Sequence, residues 1–542
     1  MGLRALWIIG HDGRPAGPAI LMAPVLAAID VGTGSARAGL FDSNGRLLAR
    51  AERPIAMNRA SPGHYEQDSE NIWAAACEAM RAAREAAGVA TEDVVGISFD
   101  ATCSNVFRGR NGEQIGVSKA GGERWDTIVW MDHRALAEAD ECTATRHRVL
   151  GHVGGVMSPE MATPKLMWVK RHLPDAWART GQLFDLADFL TYRACGSFAR
   201  SQCTLTAKWT FLAHEETGWR PDFFEAVGLA DIFEHGSLPD RPSPVGSDLG
   251  PLTEEAAAAL GLTTACRVGA GLIDAFAGAL GVIGGLDDVD RHLALIAGTS
   301  SCVMAMSSEP RAFAGMWGPY FGAPLPGLWL SEGGQSATGA LLDHIIRWHG
   351  GEPDAATHKR IVERVLELRA EEGLDLAARL HVLPDFHGNR TPLADPHALG
   401  VISGLTLDSS FDSLARLYWR TAVAIALGVR HVLEALNANG YVIDTLHVTG
   451  GHTRNPLLME LYADATGCTV LESDSGDAVL LGTAMSAAAA AGLHPSLAEA
   501  CAAMRQPGRE RRPNPASLSR FDRDYRVFLE MHRQRQALDA LE

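Results

Sequence analysis

Two short turns hold residues able to bind phosphate. Asp30 lies just before the turn Gly32-Thr33-Gly34, and a similar turn, Gly298-Thr299-Ser300, again lies between two apolar stretches. A tight glycine-containing turn directs several backbone N–H groups at one point, which binds phosphoryl oxygens without Lys or Arg. The carboxylate of Asp30 would repel phosphate unless a divalent cation such as Mg²⁺ lay between them. Either turn alone is equally well explained as an ordinary strand connection, but the repetition favours phosphate binding.

Two further positions have both a chemical and a structural interpretation. Gly450-Gly451 precedes a predicted helix, where free N–H groups favour an anion and the absent side chains leave room for a flat ring; such pairs are also common for packing alone. Asp274, in GLIDAF, begins another predicted helix. It would serve there either as an N-cap or as a general base that accepts a hydroxyl proton.

The elements around the first turn exclude two common nucleotide sites. AIDVGTGSARAGLFD, followed by Ser43-Asn44-Gly45, predicts strand, turn, strand, hairpin and strand. A dinucleotide-binding fingerprint needs a helix directly after the glycines and a third glycine where Arg37 stands. The chain also has no G-x-x-x-x-G-K-[ST] motif, which argues against a P-loop.

The remaining pattern predicts a mixed α/β protein. Residues 71–87 predict a helix, VVGISFDATC a strand, 184–193 a short helix, 197–212 strands, 239–251 a surface loop, and 268–282 a strand ending in a helix. Residues 293–308 repeat the opening strand-turn-strand pattern, which predicts two similar lobes. Residues 445–467 predict strand, glycine turn and helix, residues 480–492 a small-residue helix, and the C-terminus another helix.

Composition limits the partners and the compartment. The 542 residues have a formal net charge of −17, which argues against a nucleic-acid or anionic-membrane partner. Nine scattered cysteines without a C-x-x-C pair favour reduced thiols and a cytoplasmic location. The sequence has no apolar run of the roughly 20 residues that a membrane span requires. Residues 1–23 are expected to be a loose extension; the alternative is that residue 1 is an upstream start and the native chain begins at Met22.

Nine segments occur in this order: AIDVGTGSARAGLFD, GISFDATCS, VWMDHRA, TPKLMWVK, GAGLIDAFAGALG, IAGTSS, SEGGQSATGALLD, FHGNRTPLADP and HVTGGHTRNPLLMELYAD. Together they resemble the FGGY carbohydrate kinases, a branch of the actin-like ATPase superfamily, and within them the D-ribulokinase-like pentulose kinases. TPKLMWVK matches its family counterpart only loosely, and residues 1–23 have no counterpart. The resemblance covers about residues 25–505 and is specific because the order of the segments is kept.

The resemblance implies a role for each matched residue. Asp30, Gly32 and Thr33 match the first phosphate loop, and Gly298, Thr299 and Ser300 the second. Gly450, Gly451 and Asn455 match the adenosine site, and Asp274 matches the catalytic carboxylate. Asp30 and Asp274 would hold Mg²⁺ through water. The candidate sugar-binding residues are Thr102, Asp132, His133, Arg134, Lys208, Asp274 and Glu332. His133 could equally be a core histidine, and Arg134 could simply pair with a surface acid.

The sequence thus predicts an α/β fold of two actin-like (ribonuclease H-like) lobes. The expected boundaries are 24–282 for a lobe that binds mainly sugar, 283–510 for one that binds mainly ATP, and 511–542 for a helical tail. The expected reaction transfers phosphate from ATP to a pentulose, with D-ribulose the first choice. L-ribulose, xylulose or a pentitol remain alternatives, as does a non-catalytic actin-like ATP-binding protein. Members of the family often form homodimers, but the sequence does not show the oligomeric state.

Overall fold

The computed structural model of the protein describes residues 24–473 and 475–541. The extension expected over residues 1–23 lies outside the described residues. The strands of the N-terminal half are β1 (Val25–Val31), β2 (Ser35–Asp42), β3 (Leu47–Pro54), β4 (Met57–Ser61), β5 (His64–Gln67), β6 (Val94–Ala101), β7 (Asn105–Gly109), β8 (Thr127–Ile128), β9 (Thr180–Asp185), β10 (Asp248–Pro251), β11 (Arg267–Gly269) and β12 (Leu272–Ile273). Its helices are α1 (Ser69–Ala87), α2 (Leu136–Ala144), α3 (Ala162–His172), α4 (Pro174–Arg179), α5 (Leu186–Cys195), α6 (Gln202–Lys208), α7 (Pro221–Ala226), α8 (Ile232–His235), α9 (Glu254–Leu260) and α10 (Asp274–Ile283).

The C-terminal half has fewer strands and longer helices. Its strands are β13 (His292–Ala297), β14 (Ser301–Ser307), β15 (Trp317–Phe321), β16 (Trp329–Gln335), β17 (His381–Leu383), β18 (Val401–Ser403), β19 (Thr445–Thr449), β20 (Thr469–Ser473) and β21 (Gly508–Arg511). Its helices are α11 (Gly339–Trp348), α12 (Ala355–Glu372), α13 (Phe411–Ala438), α14 (Pro456–Thr466), α15 (Ala478–Ala490), α16 (Leu497–Met504) and α17 (Pro515–Asp539).

The two halves each contain a central sheet, and the two sheets share one topology. The first sheet has the order β10-β11-β6-β1-β2-β3, and β12 pairs with β6 further along. The second has the order β15-β16-β14-β13-β19-β20-β21. In both, a strand pairs antiparallel with the next strand and parallel with a later one: β1 with β2 and β6, and β13 with β14 and β19. This repeat confirms the prediction of two similar actin-like lobes.

The buried strand β1 shows why each sheet is covered on both faces. All its residues are buried, and because side chains alternate along a strand, Ala27 and Ile29 join one core whereas Leu26 and Ala28 join another. The second of these cores also contains α10 and α15, which pack together between the lobes. Gly482 of α15 lies so close to the backbone of α10 at Ala277 that an added Cβ would overlap it. The predicted small-residue helix therefore joins the two lobes.

Two predictions of secondary structure are wrong. The surface loop expected over residues 239–251 contains β10 at Asp248–Pro251, which pairs with β11. Residues 197–212 were expected to form strands, but residues Gln202–Lys208 form α6. The Ser201 side chain caps this helix at the N–H of Cys203, and the Thr204 hydroxyl bonds back to the carbonyl of Ser201 at 2.9 Å. These local bonds satisfy the hydroxyl groups of Ser201 and Thr204 in the first turn of a helix. The strand preference of the β-branched threonines therefore did not prevent helix formation. The consequence is functional, because α6 ends at Lys208.

The long helix α13 lies at the centre of the second lobe. Among the described helices, it is the one whose length and apolar character would suffice to cross a membrane, and 67% of that stretch is buried inside the protein. The C-terminal helix α17 packs against α13 and α14. Arg420 of α13 and Asp524 of α17 form a buried ion pair at 2.8 Å.

Candidate active site

The carboxyl ends of three neighbouring strands bring three aspartates together. Asp30 near the end of β1 is in register with Asp100 of β6, and Ile273 of β12 is in register with Ala101. Asp274 follows directly as the first residue of α10. Ligands of open α/β sheets bind outside the carboxyl ends of the strands. The candidate site is therefore built by the sheet itself and does not depend on a flexible loop.

The first glycine turn is held from several directions. It connects β1 to β2, and the N–H of Gly32 donates to the carbonyl of Ser35 at 3.0 Å. Gln67 donates its side-chain amide to the Thr33 carbonyl at 2.9 Å, and the indole N–H of Trp130 donates to the Thr33 hydroxyl at 3.0 Å. Since that hydroxyl accepts from Trp130, its own hydrogen is left to donate elsewhere. The Thr33 hydroxyl can therefore donate this hydrogen to a phosphate oxygen.

Asp30 and Asp100 are buried acids with unused acceptor atoms. Arg37, directly across from Asp30 on β2, forms an ion pair with its Oδ2. Thr483 of α15 donates to Oδ2 of Asp100 at 2.5 Å. The Oδ1 atoms of both aspartates are buried and have no hydrogen-bond partner among residues 24–473 and 475–541. Burial raises the pKa of both carboxyl groups above the usual range, although Arg37 opposes this at Asp30.

These orphaned oxygens fit a divalent cation that keeps part of its water. Mg²⁺ commonly binds one or two carboxylates and retains several water molecules. In the described part of the chain, no group of three His, Cys, Asp or Glu side chains is placed to bind a metal ion directly. The donor set is thus compatible with the expected contacts through water at Asp30 and Asp274, and with Asp100 as a further acceptor.

Asp274 lies among charges of both signs. Its Oδ1 accepts the N–H of Ala275 at 2.7 Å, so the residue bonds its own helix start but keeps a second oxygen for other contacts. Burial raises the pKa of Asp274, whereas Arg37 and Lys208 lower it and Glu332 raises it. A carboxylate so placed can accept a proton from a hydroxyl held in this space.

A buried ion pair lies across the lobes beside Asp274. Lys208 at the end of α6 and Glu332 of β16 approach to 3.0 Å, and their residues are 3% and 5% exposed. The ammonium group also lies 4.6 Å from the ring centroid of Trp317. Burial is the largest single effect and lowers the pKa of Lys208, but Glu332, Cys103 and Tyr320 together raise it above its usual range, and the lysine stays charged. The pair offers both a donor and an acceptor to a sugar hydroxyl.

The other candidate sugar-binding residues differ in how fully their polar atoms are used. The Thr102 hydroxyl is 3.1 Å from that of Ser104 and makes no other hydrogen bond within the described part of the chain. Asp132 and Arg134 form a buried two-point ion pair, at 2.7 and 2.8 Å. Arg134 also donates to Glu66 at 2.9 Å, which is a buried acid and not the surface acid considered from sequence. His133 is half-buried, and burial lowers its pKa.

The second glycine turn lies against the Gly450 turn. The N–H of Gly298 donates to the carbonyl of Ser300 at 2.8 Å, and the carbonyl of Thr299 accepts from Thr338 at 3.1 Å. Gly450 has a φ of +92°, and an added Cβ would lie 2.5 Å from the carbonyl oxygen of Ala297. Only glycine therefore allows the two turns to approach.

Asn455 joins the Gly450 turn to helix α14. Its side chain caps α14 at the N–H of Leu457, 3.1 Å away, and donates to the Tyr418 hydroxyl at 3.2 Å. The predicted adenosine residues Gly450, Gly451 and Asn455 thus form one connected surface beside the second phosphate turn.

Sequence reasoning missed four residues at this site. They are Arg37, Asp100, Trp130 and Arg390. Arg37 was noted only as the residue that breaks a dinucleotide fingerprint, and Asp100 stands in the quoted segment GISFDATCS. The signal for Asp100 was its position at the end of a buried strand, as for Asp30.

Two family models match this chain along most of its length. The N-terminal domain of the FGGY family of carbohydrate kinases matches residues 25–281, and the C-terminal domain matches residues 293–491. The chain belongs to the FGGY family of carbohydrate kinases. This FGGY kinase is 43% identical over 540 residues to the FGGY carbohydrate kinase domain-containing protein of Danio rerio, covering 95% of this chain and 98% of the relative.

Two further comparisons place this FGGY kinase among sugar kinases. It is 36% identical over 508 residues to the D-ribulokinase of Saccharomyces cerevisiae, covering 85% of this chain and 71% of the relative. Its fold is that of the xylulose kinase from Rhodospirillum rubrum, with a TM-score of 0.77, 24% identity, and coverage of 95% and 99% of the two chains. The protein is therefore a carbohydrate kinase, and kinases of this family use ATP as a substrate.

Proposed function

We propose that this enzyme transfers the γ-phosphate of ATP to the 5-hydroxyl of D-ribulose. The single observation that supports a sugar site most directly is the buried Lys208–Glu332 pair beside Asp274, between the lobes. A polyhydroxylated substrate needs donors and acceptors from several elements, and these three residues come from α6, β16 and α10. The similarity to the yeast D-ribulokinase favours D-ribulose over L-ribulose, xylulose and pentitols.

The residues divide the chemistry among them. Asp274 accepts the proton of the attacking hydroxyl, and Lys208 and Glu332 hold neighbouring hydroxyls so that the oxygen faces the phosphate. The turns at Thr33 and Thr299 bind the phosphates through backbone N–H groups and hydroxyls. Mg²⁺, held at Asp30 and Asp274 through water, would neutralise charge on the transferred phosphoryl group.

The nucleotide is proposed to lie mainly on the second lobe, at the turns of Gly298 and Gly450 and beside Asn455. The sugar is proposed to lie mainly on the first lobe.

All nine cysteines are free thiols, which supports a reducing compartment such as the cytoplasm.

A coupled assay of ADP release tests the proposal. The purified enzyme, with ATP and Mg²⁺, is offered D-ribulose, L-ribulose, D-xylulose, L-xylulose, ribitol, xylitol and arabitol at equal concentrations. We expect the highest kcat/KM for D-ribulose, and a kcat for D-ribulose that is lower by at least about 100-fold in the Asp274→Asn variant. A higher kcat/KM for another acceptor would replace D-ribulose as the substrate. ADP release that no acceptor increases would contradict sugar phosphorylation by this chain.

A further inference from the structure

A second ion pair lies across the lobes and contacts the same tryptophan as the first. Arg390 of the second lobe lies 3.5 Å from Glu160 of the first, and its guanidinium carbon lies 5.6 Å from the ring centroid of Trp317. The ammonium of Lys208 lies 4.6 Å from the same centroid. The two pairs thus share one indole ring, and Arg390–Glu160 extends the polar surface beyond Lys208–Glu332.

The Cys302 thiol links Arg390 to the strand pair that holds Glu332. Arg390 donates to its sulfur at 3.8 Å. Burial raises the pKa of this thiol to about 11, Arg390 and Lys208 lower it, and Glu332 and Asp274 raise it. Cys302 of β14 pairs with Gly334 of β16, two residues after Glu332, so the Cys302 and Glu332 side chains lie on the same face of the sheet.

The segment that holds Arg390 is rigidly built. The N–H and carbonyl groups of Asn389 and Asp395 are paired at 2.8 Å in both directions. The Asn389 side chain accepts from the N–H of Leu393 at 3.1 Å and donates to Asp385 at 3.0 Å. Thr391 packs against the backbone of Gly333, the residue after Glu332, so closely that an added Cβ would lie 2.9 Å from its hydroxyl. The loop therefore fixes Arg390 relative to the first ion pair.

Arg390 has hydrogen-bonding capacity left over. A guanidinium has five N–H donors, yet in the described part of the chain its polar contacts are one at 3.5 Å to a carboxylate and one at 3.8 Å to a sulfur. Its side chain is 11% exposed, so few of the remaining donors meet bulk water. By contrast, Arg134 in the first lobe donates at 2.7–2.9 Å to two acids and a carbonyl. The arrangement at Arg390 leaves donors for a ligand in the space between the lobes.

We propose that Arg390 and Glu160 bind the ketone end of the sugar and select ketoses over sugar alcohols. This inference rests on the proposed pentulose kinase activity. A ketone oxygen only accepts hydrogen bonds and a guanidinium only donates them, so Arg390 suits the C2 carbonyl. Glu160, an acceptor, suits the adjacent C1 hydroxyl. In ribitol, C2 has a hydroxyl whose hydrogen needs an acceptor that Arg390 does not supply, and an unpaired buried polar group is costly.

The test compares D-ribulose with ribitol in wild type, Arg390→Gln, Arg390→Lys and Glu160→Gln. Ribitol is tested as an inhibitor of D-ribulose phosphorylation, so ribitol need not be turned over. The ketose preference is the ratio of the KM for D-ribulose to the inhibition constant of ribitol. We expect Arg390→Gln to raise the D-ribulose KM about tenfold or more, as for loss of a charged hydrogen bond, while ribitol inhibition changes less than about twofold. Arg390→Lys should lose most of the preference too, because lysine lacks the planar fork.

Arg311→Gln is the matched control. Arg311 also lies over an aromatic ring, 4.5 Å from the centroid of Tyr441, and pairs with Asp290 at 3.2 Å, but it lies outside the site. This variant should leave the ketose preference unchanged.

The possible failures are distinct. If wild type does not phosphorylate D-ribulose, the proposed function is wrong. If it does, but Arg390→Gln weakens both ligands equally or neither, the pair does not read the ketone, and the inference is overturned. An equal loss of affinity for both ligands together with a lower kcat would also overturn the inference, and would indicate that the Arg390–Glu160 pair holds the lobes together.

Discussion

Removal of one member of the Lys208–Glu332 pair should destabilise the protein strongly, whereas removal of both should not. Two unit charges 3.0 Å apart attract by about 5 kcal/mol at an effective dielectric constant of about 20. Both side chains are buried, so a single replacement leaves an unpaired buried charge, which costs about 3–5 kcal/mol. At about 2 °C per kcal/mol for the unfolding of a lobe of about 250 residues, Lys208→Met or Glu332→Leu should lower Tm by about 6–10 °C.

The double variant separates stability from function. Lys208→Met with Glu332→Leu replaces the ion pair by apolar contacts, which is often neutral or stabilising at buried sites. We expect its Tm to return to within a few degrees of wild type, while the KM for D-ribulose stays at least about tenfold raised because donor and acceptor are both lost. Thermal unfolding and steady-state kinetics on the same preparations measure the two effects.

A surface pair provides the control for this experiment. Arg364 and Asp412 approach to 2.7 Å with side chains 28% and 40% exposed, and such pairs contribute about 0–1 kcal/mol. Asp412→Asn should therefore change Tm by no more than a few degrees and leave the kinetics unchanged. Single Lys208 or Glu332 variants that are no less stable than Asp412→Asn would contradict the cost of an unpaired buried charge. A double variant that keeps the wild-type KM for D-ribulose would contradict a role of the pair in sugar binding.

Three further predictions concern the reaction itself. Asp274→Asn should lower kcat by about 10²–10⁴-fold while calorimetry still detects D-ribulose binding; near wild-type turnover would show that Asp274 is not the base. Thr299→Val should raise the KM for ATP and leave that for D-ribulose unchanged, and an unaltered ATP dependence would count against the second phosphate turn. Gly450→Ala should impair ATP use more than Gly467→Ala does, because both glycines have positive φ but only Gly450 has a backbone oxygen in the way of a Cβ; equal effects would refute the need for close approach of the turns.

Local patterns predicted those elements whose sequence and surroundings agree. The buried run before Gly32 became a central strand, and the expected helix over 71–87 is found at Ser69–Ala87, capped by Asp68 and ended by Gly88 in the left-handed conformation. The expected strands at 197–212 failed because Ser201 and Thr204 bond locally within a helix. Such a choice depends on packing that a window of sequence does not show.

Residues of the site could be predicted only where the chemical groups and their position are both evident from one short segment of sequence. The turns at Gly32 and Gly298 and the acid Asp274 could be read from composition and position. The pairs Arg37–Asp30 and Lys208–Glu332 required strand register or contact between lobes, and Lys208 was expected only through the family resemblance. Arg390 lies in a segment whose chemistry became apparent only when the fold placed it beside Trp317.

A crystal structure of the enzyme with D-ribulose and a non-hydrolysable ATP analogue would test the central claim most directly. We expect the 5-hydroxyl oxygen to lie about 3 Å from a carboxylate oxygen of Asp274 and to face the terminal phosphate, which is bound by the turns of Thr33 and Thr299. A sugar bound away from Asp274, or phosphates bound away from both turns, would contradict it.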